Sequence, residues 1–201
     1  SRYEYSRLRI SRLSAISTMR QFFASVIEVL EVALIAGGAV FFIRNFLVQP
    51  FLVSGLSMAP SFYDGDYLLV DELTYRFREP ERGEVVVFRY PNDDTTYFIK
   101  RVIGLPGERI EIKNGTVTVF NSEHSEGFAL HENYLPNNVI TSGASGLELG
   151  EKEYFVLGDN RSYSFDSRSW GPLNVDDIIG VARLRLWPLN TVLAFAAPKY
   201  Q

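Results

Sequence analysis

Ser57 and Lys100 are the residues of this 201-residue chain whose surroundings best suit them to chemistry. Ser57 stands in Ser54-Gly55-Leu56-Ser57-Met58-Ala59-Pro60-Ser61, where Gly55 permits close backbone approach and Pro60 stiffens the exit. Lys100 belongs to Tyr97-Phe98-Ile99-Lys100-Arg101-Val102-Ile103, and strand alternation puts Phe98, Lys100 and Val102 on one face. Apolar neighbours disfavour the charged form of a lysine. An ordinary lysine is neutral in only about one molecule in 2,500 at pH 7, and lowering its pKa by about two units raises that to a few per cent. A hydroxyl beside a neutral amine makes a nucleophile and a base without histidine. Each residue also has a plainer reading, as a serine in a structural turn and a lysine snorkelling from a strand edge.

A third constellation runs from Gly158-Asp159-Asn160-Arg161 through Ser162, Ser164, Asp166, Ser167 and Arg168 to Trp170-Gly171. Its hydroxyls, carboxylates and arginines read either as a well-bonded polar loop or as side chains that orient a base. Asp166 and Arg168 are spaced to pair.

Several other chemistries are disfavoured. The chain has no cysteine, so it has no disulfide framework and no thiolate chemistry. Its two histidines, His124 and His131, fall in a polar Gly/Ser-containing stretch and read as exposed loop residues. Without a paired His/carboxylate spacing, no metal site is expected, and no cofactor is called for. The net charge of −4 hides an asymmetry: residues 1–21 hold five arginines against Glu4, leaving an acidic remainder. An acidic body disfavours a nucleic-acid partner.

The elements that must position these residues begin with an apolar run, Phe22 to Ile43, of 22 residues. As a helix it measures roughly 33 Å, enough for a hydrocarbon core of about 30 Å. Glu28 and Glu31 interrupt it on one face, so the helix is expected to begin amphipathic at the inner interface. A single anchor is the favoured reading over a cleaved signal peptide or a buried soluble helix. With the basic residues inside, everything after Phe46 lies outside the cytoplasm.

From Phe46 onward the pattern is that of short strands: Tyr67–Val70, Glu84–Tyr90, Tyr97–Ile103, Arg109–Lys113, Thr116–Phe120, Tyr154–Leu157 and Ile179–Leu186. Asn114-Gly115 marks a two-residue hairpin turn. Residues 121–150 turn polar and read as a long loop or small insertion. Met58 and Phe62 are expected to give the serine turn an apolar side facing the membrane. The fold class is therefore mostly β with one N-terminal helix: a basic cytoplasmic segment 1–21, an anchor 22–45 and a β-rich domain 46–201 that carries the candidate residues.

In ordered blocks the chain resembles the type I signal peptidases, membrane-anchored Ser/Lys proteases. The blocks are the anchor, Ser57-Met58-x-Pro60, Gly65-Asp66-Tyr67-Leu68-Leu69-Val70, Arg82-Gly83-Glu84-Val85-Val86-Val87-Phe88, Lys100-Arg101-Val102-Ile103-Gly104-Leu105-Pro106-Gly107, and Gly158-Asp159-Asn160-Arg161 through Trp170-Gly171. The resemblance implies Ser57 as nucleophile, Lys100 as general base, Ser164 as the serine that hydrogen-bonds the lysine, and Asp166 with Arg168 as a supporting ion pair. It places Val53 and Ile99 beside the pockets for the residues preceding the cleaved bond. Where some members carry an oxyanion-stabilising serine, this chain has Gly55, so backbone N–H groups must serve, that of Ser57 first. The implied partners are signal-peptide-bearing preproteins and the lipid bilayer, with the enzyme a monomer. A self-cleaving Ser/Lys repressor and a catalytically silent membrane-anchored β domain are the alternatives.

Overall fold

The computed structural model describes residues 19–21, 23–41, 48–137, 139–143 and 146–198. The basic segment up to Thr18, together with Phe22, Arg44 and Phe46, lies outside the described residues. Two compact units divide the chain, Ser1–Asn45 and Phe46–Gln201. In the first, α1 (Met19–Phe41) is a 23-residue helix long and apolar enough to cross a membrane. Glu28 and Glu31 interrupt its apolar surface one turn apart.

The second unit is built on strands. In chain order they are β1 (Val48–Leu52), β2 (Tyr67–Asp71), β3 (Val85–Tyr90), β4 (Asp93–Gly104), β5 (Arg109–Lys113), β6 (Thr116–Phe120), β7 (Phe128–Ala129), β8 (Leu147–Glu148), β9 (Glu153–Leu157), β10 (Leu173–Asn174), β11 (Ile178–Trp187) and β12 (Leu193–Ala194), with a one-turn helix α2 (Ser167–Trp170) before β10. The larger sheet runs β1-β2-β11-β3-β4-β9-β10, with β12 added to β11, and the smaller runs β7-β6-β5-β8. The mostly β expectation holds.

Valine-rich alternation places the core. Val85 packs with Val53, Met58, Phe62, Leu68 and Ala182 on one side of the larger sheet. Its neighbour Val86 packs with Phe88, Val102, Tyr154, Val156 and Leu173 on the other. A third cluster, from Ile103 and Ile110 through Val119 to Leu157, is shared with the smaller sheet. The β5–β6 turn is the expected one, since Asn114 (φ 52°) and Gly115 (φ 85°) both adopt the positive angles a two-residue hairpin requires.

One expectation needs amendment. Met58 and Phe62 do not face outward, because a turn of helix-like backbone (Phe62 N–H to Met58 carbonyl, 2.9 Å) rolls both into the core. The polar stretch 121–150 is loop over most of its described residues. It supplies β7 and β8, both edges of the smaller sheet, and buries Leu130, Thr141 and Leu149.

Strand pairing leaves one opening. β9 pairs with β4 only from Arg101 onward. Among the described residues, Asp93 to Lys100 therefore pair with β3 along one edge and leave the other edge open.

Candidate active site

Ser57 follows β1 in a staked turn. Gly55 takes φ 90°, a conformation that side-chain-bearing residues rarely adopt, and its N–H donates to Asp64 Oδ1 at 2.8 Å. Val53 N–H reaches the Asp66 carbonyl at 2.9 Å, and Gly65 N–H returns to the Val53 carbonyl at 3.0 Å. Asp66 in turn accepts from Tyr63 N–H and pairs with Arg185 Nε at 3.0 Å. The turn is thus held from its own flank.

Lys100 reaches this turn from the open edge of β4. Its Nζ lies 2.8 Å from Ser57 Oγ and 2.9 Å from the Ile99 carbonyl oxygen. The lysine is 3% exposed, and its ammonium stands 5.2 Å from the centre of the Phe98 ring. Burial pushes its pKa down from 10.5 to about 8, opposed in part by the carboxylates of Asp166 and Asp159. At pH 7 a group with that pKa is neutral in about one molecule in ten. Desolvation dominates because neither carboxylate touches the ammonium; both are engaged elsewhere.

The Gly158–Trp170 segment supplies that engagement. Asp166 caps α2, accepting from Arg168 N–H and Nε and, through its other oxygen, from Arg168 Nη2 at 2.8 Å and Gly158 N–H at 3.1 Å. Asp159 and Arg101 form a buried two-pronged pair of 2.8 and 2.6 Å. Arg101 also donates to the Gly83 carbonyl, tying the strand that carries the lysine to the turn before β3. Ser164 Oγ is buried without a hydrogen-bond partner among the described residues. It lies against Gly158, where an added Cβ would stand 2.2 Å from it.

A cleft of about 350 Å³ opens beside the pair. Phe51 to Ser57 form one wall, Tyr97 to Lys100 the other, and Val87, Tyr163 and Phe165 complete it. Val53 and Ile99 both line it, and Ile99 packs on the cluster that contains Val53. Its polar groups are few, its walls are apolar, and its length follows a strand edge. Such a cleft suits an extended peptide.

Three features carry no role in the sequence reading. Asn160 grips the serine turn from the far segment, through its N–H to the Ser57 carbonyl (3.0 Å) and Nδ2 to the Leu56 carbonyl (3.0 Å). Arg161 sits fully buried between the Gly158 carbonyl, Thr141 and a bidentate Glu132. Arg168 Nη1 donates to the Ser142 carbonyl at 2.9 Å. The last two join the polar stretch to the segment beneath the lysine. The contacts to Glu132, Thr141 and Ser142 each span 20 residues or more, beyond the reach of local patterning.

Comparison with known proteins gives a single picture. The family described as signal peptidase, peptidase S26, matches residues 26–187. Signal peptidase I P of Bacillus subtilis subsp. natto is 34% identical over 179 residues, 84% of this chain and 93% of that protein. Signal peptidase IB of Staphylococcus aureus is 32% identical over 161 residues, 75% of this chain and 83% of that protein. The crystal structure of a signal peptidase I from Enterococcus faecalis is 30% identical, with a TM-score of 0.43, and the match covers 52% of this chain and 97% of that one. A family match over most of the chain, with relatives matched over most of their own length, makes this chain a member of the peptidase S26 signal peptidase family.

Proposed function

We propose that this signal peptidase cleaves by a Ser57 nucleophile and a Lys100 general base. The observation that carries the reading is the 2.8 Å approach of Lys100 Nζ to Ser57 Oγ, made by a lysine held out of water. A neutral amine has two N–H groups and one lone pair. On this reading the N–H groups go to the Ile99 carbonyl and to the unpartnered Ser164 Oγ, which leaves the lone pair for the Ser57 hydroxyl. Lys100 takes the hydroxyl proton as Ser57 Oγ attacks the scissile carbonyl. The ammonium then returns that proton to the departing amine, leaving an ester on Ser57. A water molecule, deprotonated by the same lysine, hydrolyses the ester and restores the serine. The Ser57 N–H, which meets no acceptor among the described residues, faces the carbonyl oxygen as its charge develops.

The substrate is the extended end of a signal peptide, laid against the open edge of β4. Val53 and Ile99 narrow the cleft so that small side chains fit before the cut. Asp166 and Arg168 support the base from below. The anchor 22–45 holds the catalytic domain, 46–201, at the outer face of the cytoplasmic membrane, with segment 1–21 inside and the protein monomeric. Leu52, Leu56 and Trp187, each more than half exposed, are the apolar side chains that can meet lipid, in place of Met58 and Phe62.

The test is incubation of the detergent-purified protein with a preprotein, reading the new N-terminus by mass spectrometry. A single cut after a small residue, lost in Ser57→Ala and in Lys100→Ala, is the expected result. Cleavage that survives both substitutions overturns the assignment, and a folded wild type that never cuts a competent preprotein points to a silent binding domain.

A further inference from the structure

We propose that Asn160 is the positioning residue for the oxyanion donor, a role that rests on the Ser57 reading above. A trans peptide is planar, so its C=O and N–H point in opposite directions. The Leu56 carbonyl and the Ser57 N–H belong to one such plane. Asn160 Nδ2 holds that carbonyl at 3.0 Å, and the Asn160 N–H holds the next carbonyl, that of Ser57, at 3.0 Å. Two consecutive peptide planes are thereby fixed at the nucleophile from a segment 103 positions downstream. The Ser57 N–H is turned away from Asn160, and no acceptor among the described residues competes for it.

This control matters more here because the turn has little of its own. Gly55, at φ 90°, carries no hydroxyl to share the developing charge, and as a glycine it lets the backbone pivot. The neighbouring anchors act at Val53, Gly55 and Phe62, and at the Leu56–Ser57 plane the turn adds one longer bond of its own, from Ala59 N–H to the Leu56 carbonyl at 3.2 Å. Asn160 is itself held, since Gly158 packs directly beneath the Ser57 carbonyl and Arg161 is locked by Glu132 and Thr141. Its side-chain amide therefore acts as a fixed point. Removing it leaves the plane on the longer Ala59 bond alone and loosens a donor that preorganised electrostatic stabilisation requires to be still.

The test compares wild type, Asn160→Ala and Asn160→Asp as full-length protein in detergent. The Asp variant keeps the shape and the backbone N–H but sets an acceptor against the Leu56 carbonyl. Losing an oxyanion donor outright costs about 100- to 1,000-fold in kcat, so misaiming one is expected to cost about 10- to 100-fold, with KM changed less than about threefold. The acid limb of the pH–rate profile should stay where it is, since Lys100 is untouched. Two probes separate aiming from folding: a short alanine-ending peptide boronic acid, which forms a tetrahedral adduct on the serine, and the same peptide as its amide. The boronate should weaken by the same factor as kcat, and the amide should bind unchanged. A kcat within threefold of wild type in both variants overturns the proposal. So does equal weakening of both probes, or an acid limb that moves with kcat. Ser57→Ala separates the two failures. If it still cuts, the Ser57 reading falls; if it is inert while Asn160→Ala is fully active, only the role of Asn160 falls.

Discussion

Gly158 lies so closely beneath Ser57 that a β-carbon at position 158 would come within 2.4 Å of the Ser57 carbonyl oxygen. The same atom would meet Ser164 Oγ at 2.2 Å and Cβ at 2.5 Å. One of these contacts is with backbone, so the strain cannot be relieved by turning a side chain. Gly158→Ala is expected to displace the serine turn and lower kcat/KM by at least about 100-fold, the scale on which 1 Å misplacements act. A crystal structure or activity assay of the variant checks it; near-normal cleavage would mean that the turn tolerates movement.

With Lys100 as the proposed base, the lysine is expected to set the response to pH. With its pKa lowered to about 8, the fraction of neutral base rises about tenfold per unit below that value and levels above it. The kcat/KM of the wild type is expected to follow this curve, with an acid limb centred near pH 8. Stability runs the same way. Between about pH 8 and the ordinary lysine value of 10.5, the unfolded chain binds the proton that the folded chain has lost, so raising the pH through this window favours the folded state. Lys100→Met, which removes the buried amine, should be inactive yet unfold at a higher temperature than wild type at pH 7. The gain is about 1–3 kcal/mol, bounded above by the cost of a shift of roughly two and a half units and reduced by the lost hydrogen bonds. The advantage should shrink as the pH approaches 10.

Asp166 works on the same lysine from a distance. Its carboxylate favours the ammonium, so replacing it with a neutral group lowers the lysine pKa further. Asp166→Asn is expected to retain some activity and shift the acid limb towards lower pH. It should also lower stability by about 3–5 kcal/mol, since it leaves Arg168 as a poorly paired buried cation. An acid limb that stays near pH 8 in a folded variant would remove Asp166 from the electrostatics of the site.

Glu132 tests the connection from the polar stretch. Arg161 has no exposed side-chain surface and uses Glu132 as a bidentate partner. Glu132→Gln should lower the thermal midpoint, with a loss of about 3–5 kcal/mol, and weaken catalysis through the segment that carries Gly158 and Asn160. The measurement is paired: thermal unfolding and kcat. Unchanged values in both would show that residues 121–150 are dispensable to the site.

Local signals made most of the scaffold readable. The Asn114-Gly115 turn and the Val85–Phe88 alternation are properties of neighbouring residues, and both strands and turn fall where those patterns put them. β1 was not readable, because Val48–Leu52 continues an apolar composition and becomes a strand by pairing with Tyr67–Asp71. β7 and β8 are two residues each, too short to show a period. The outward placement of Met58 and Phe62 failed for a related reason. Apolarity beside a membrane segment does not say which side of a turn meets the core. Ser57 and Lys100 stood out by type and setting; Asn160 fell in a marked stretch without a role of its own, and Glu132 had no local mark, because both act across long sequence separations.

The strand order also gives the last long strand a special place in completing the domain. β11 lies between β2 and β3, and is the only hydrogen-bonded link in the larger sheet between the strands beside Ser57 and the strand carrying Lys100 among the described residues. Residues 178–187 leave the ribosome after both reactive residues and after the whole Gly158–Trp170 segment. A nascent chain that stops before Ile178 lacks that sheet link and has the Gly158–Trp170 segment, through Asn160 on the serine turn and Asp159 on Arg101, to bring the two sides together. The topology leaves completion of the larger sheet to the last long strand of the domain, which closes the gap between β2 and β3.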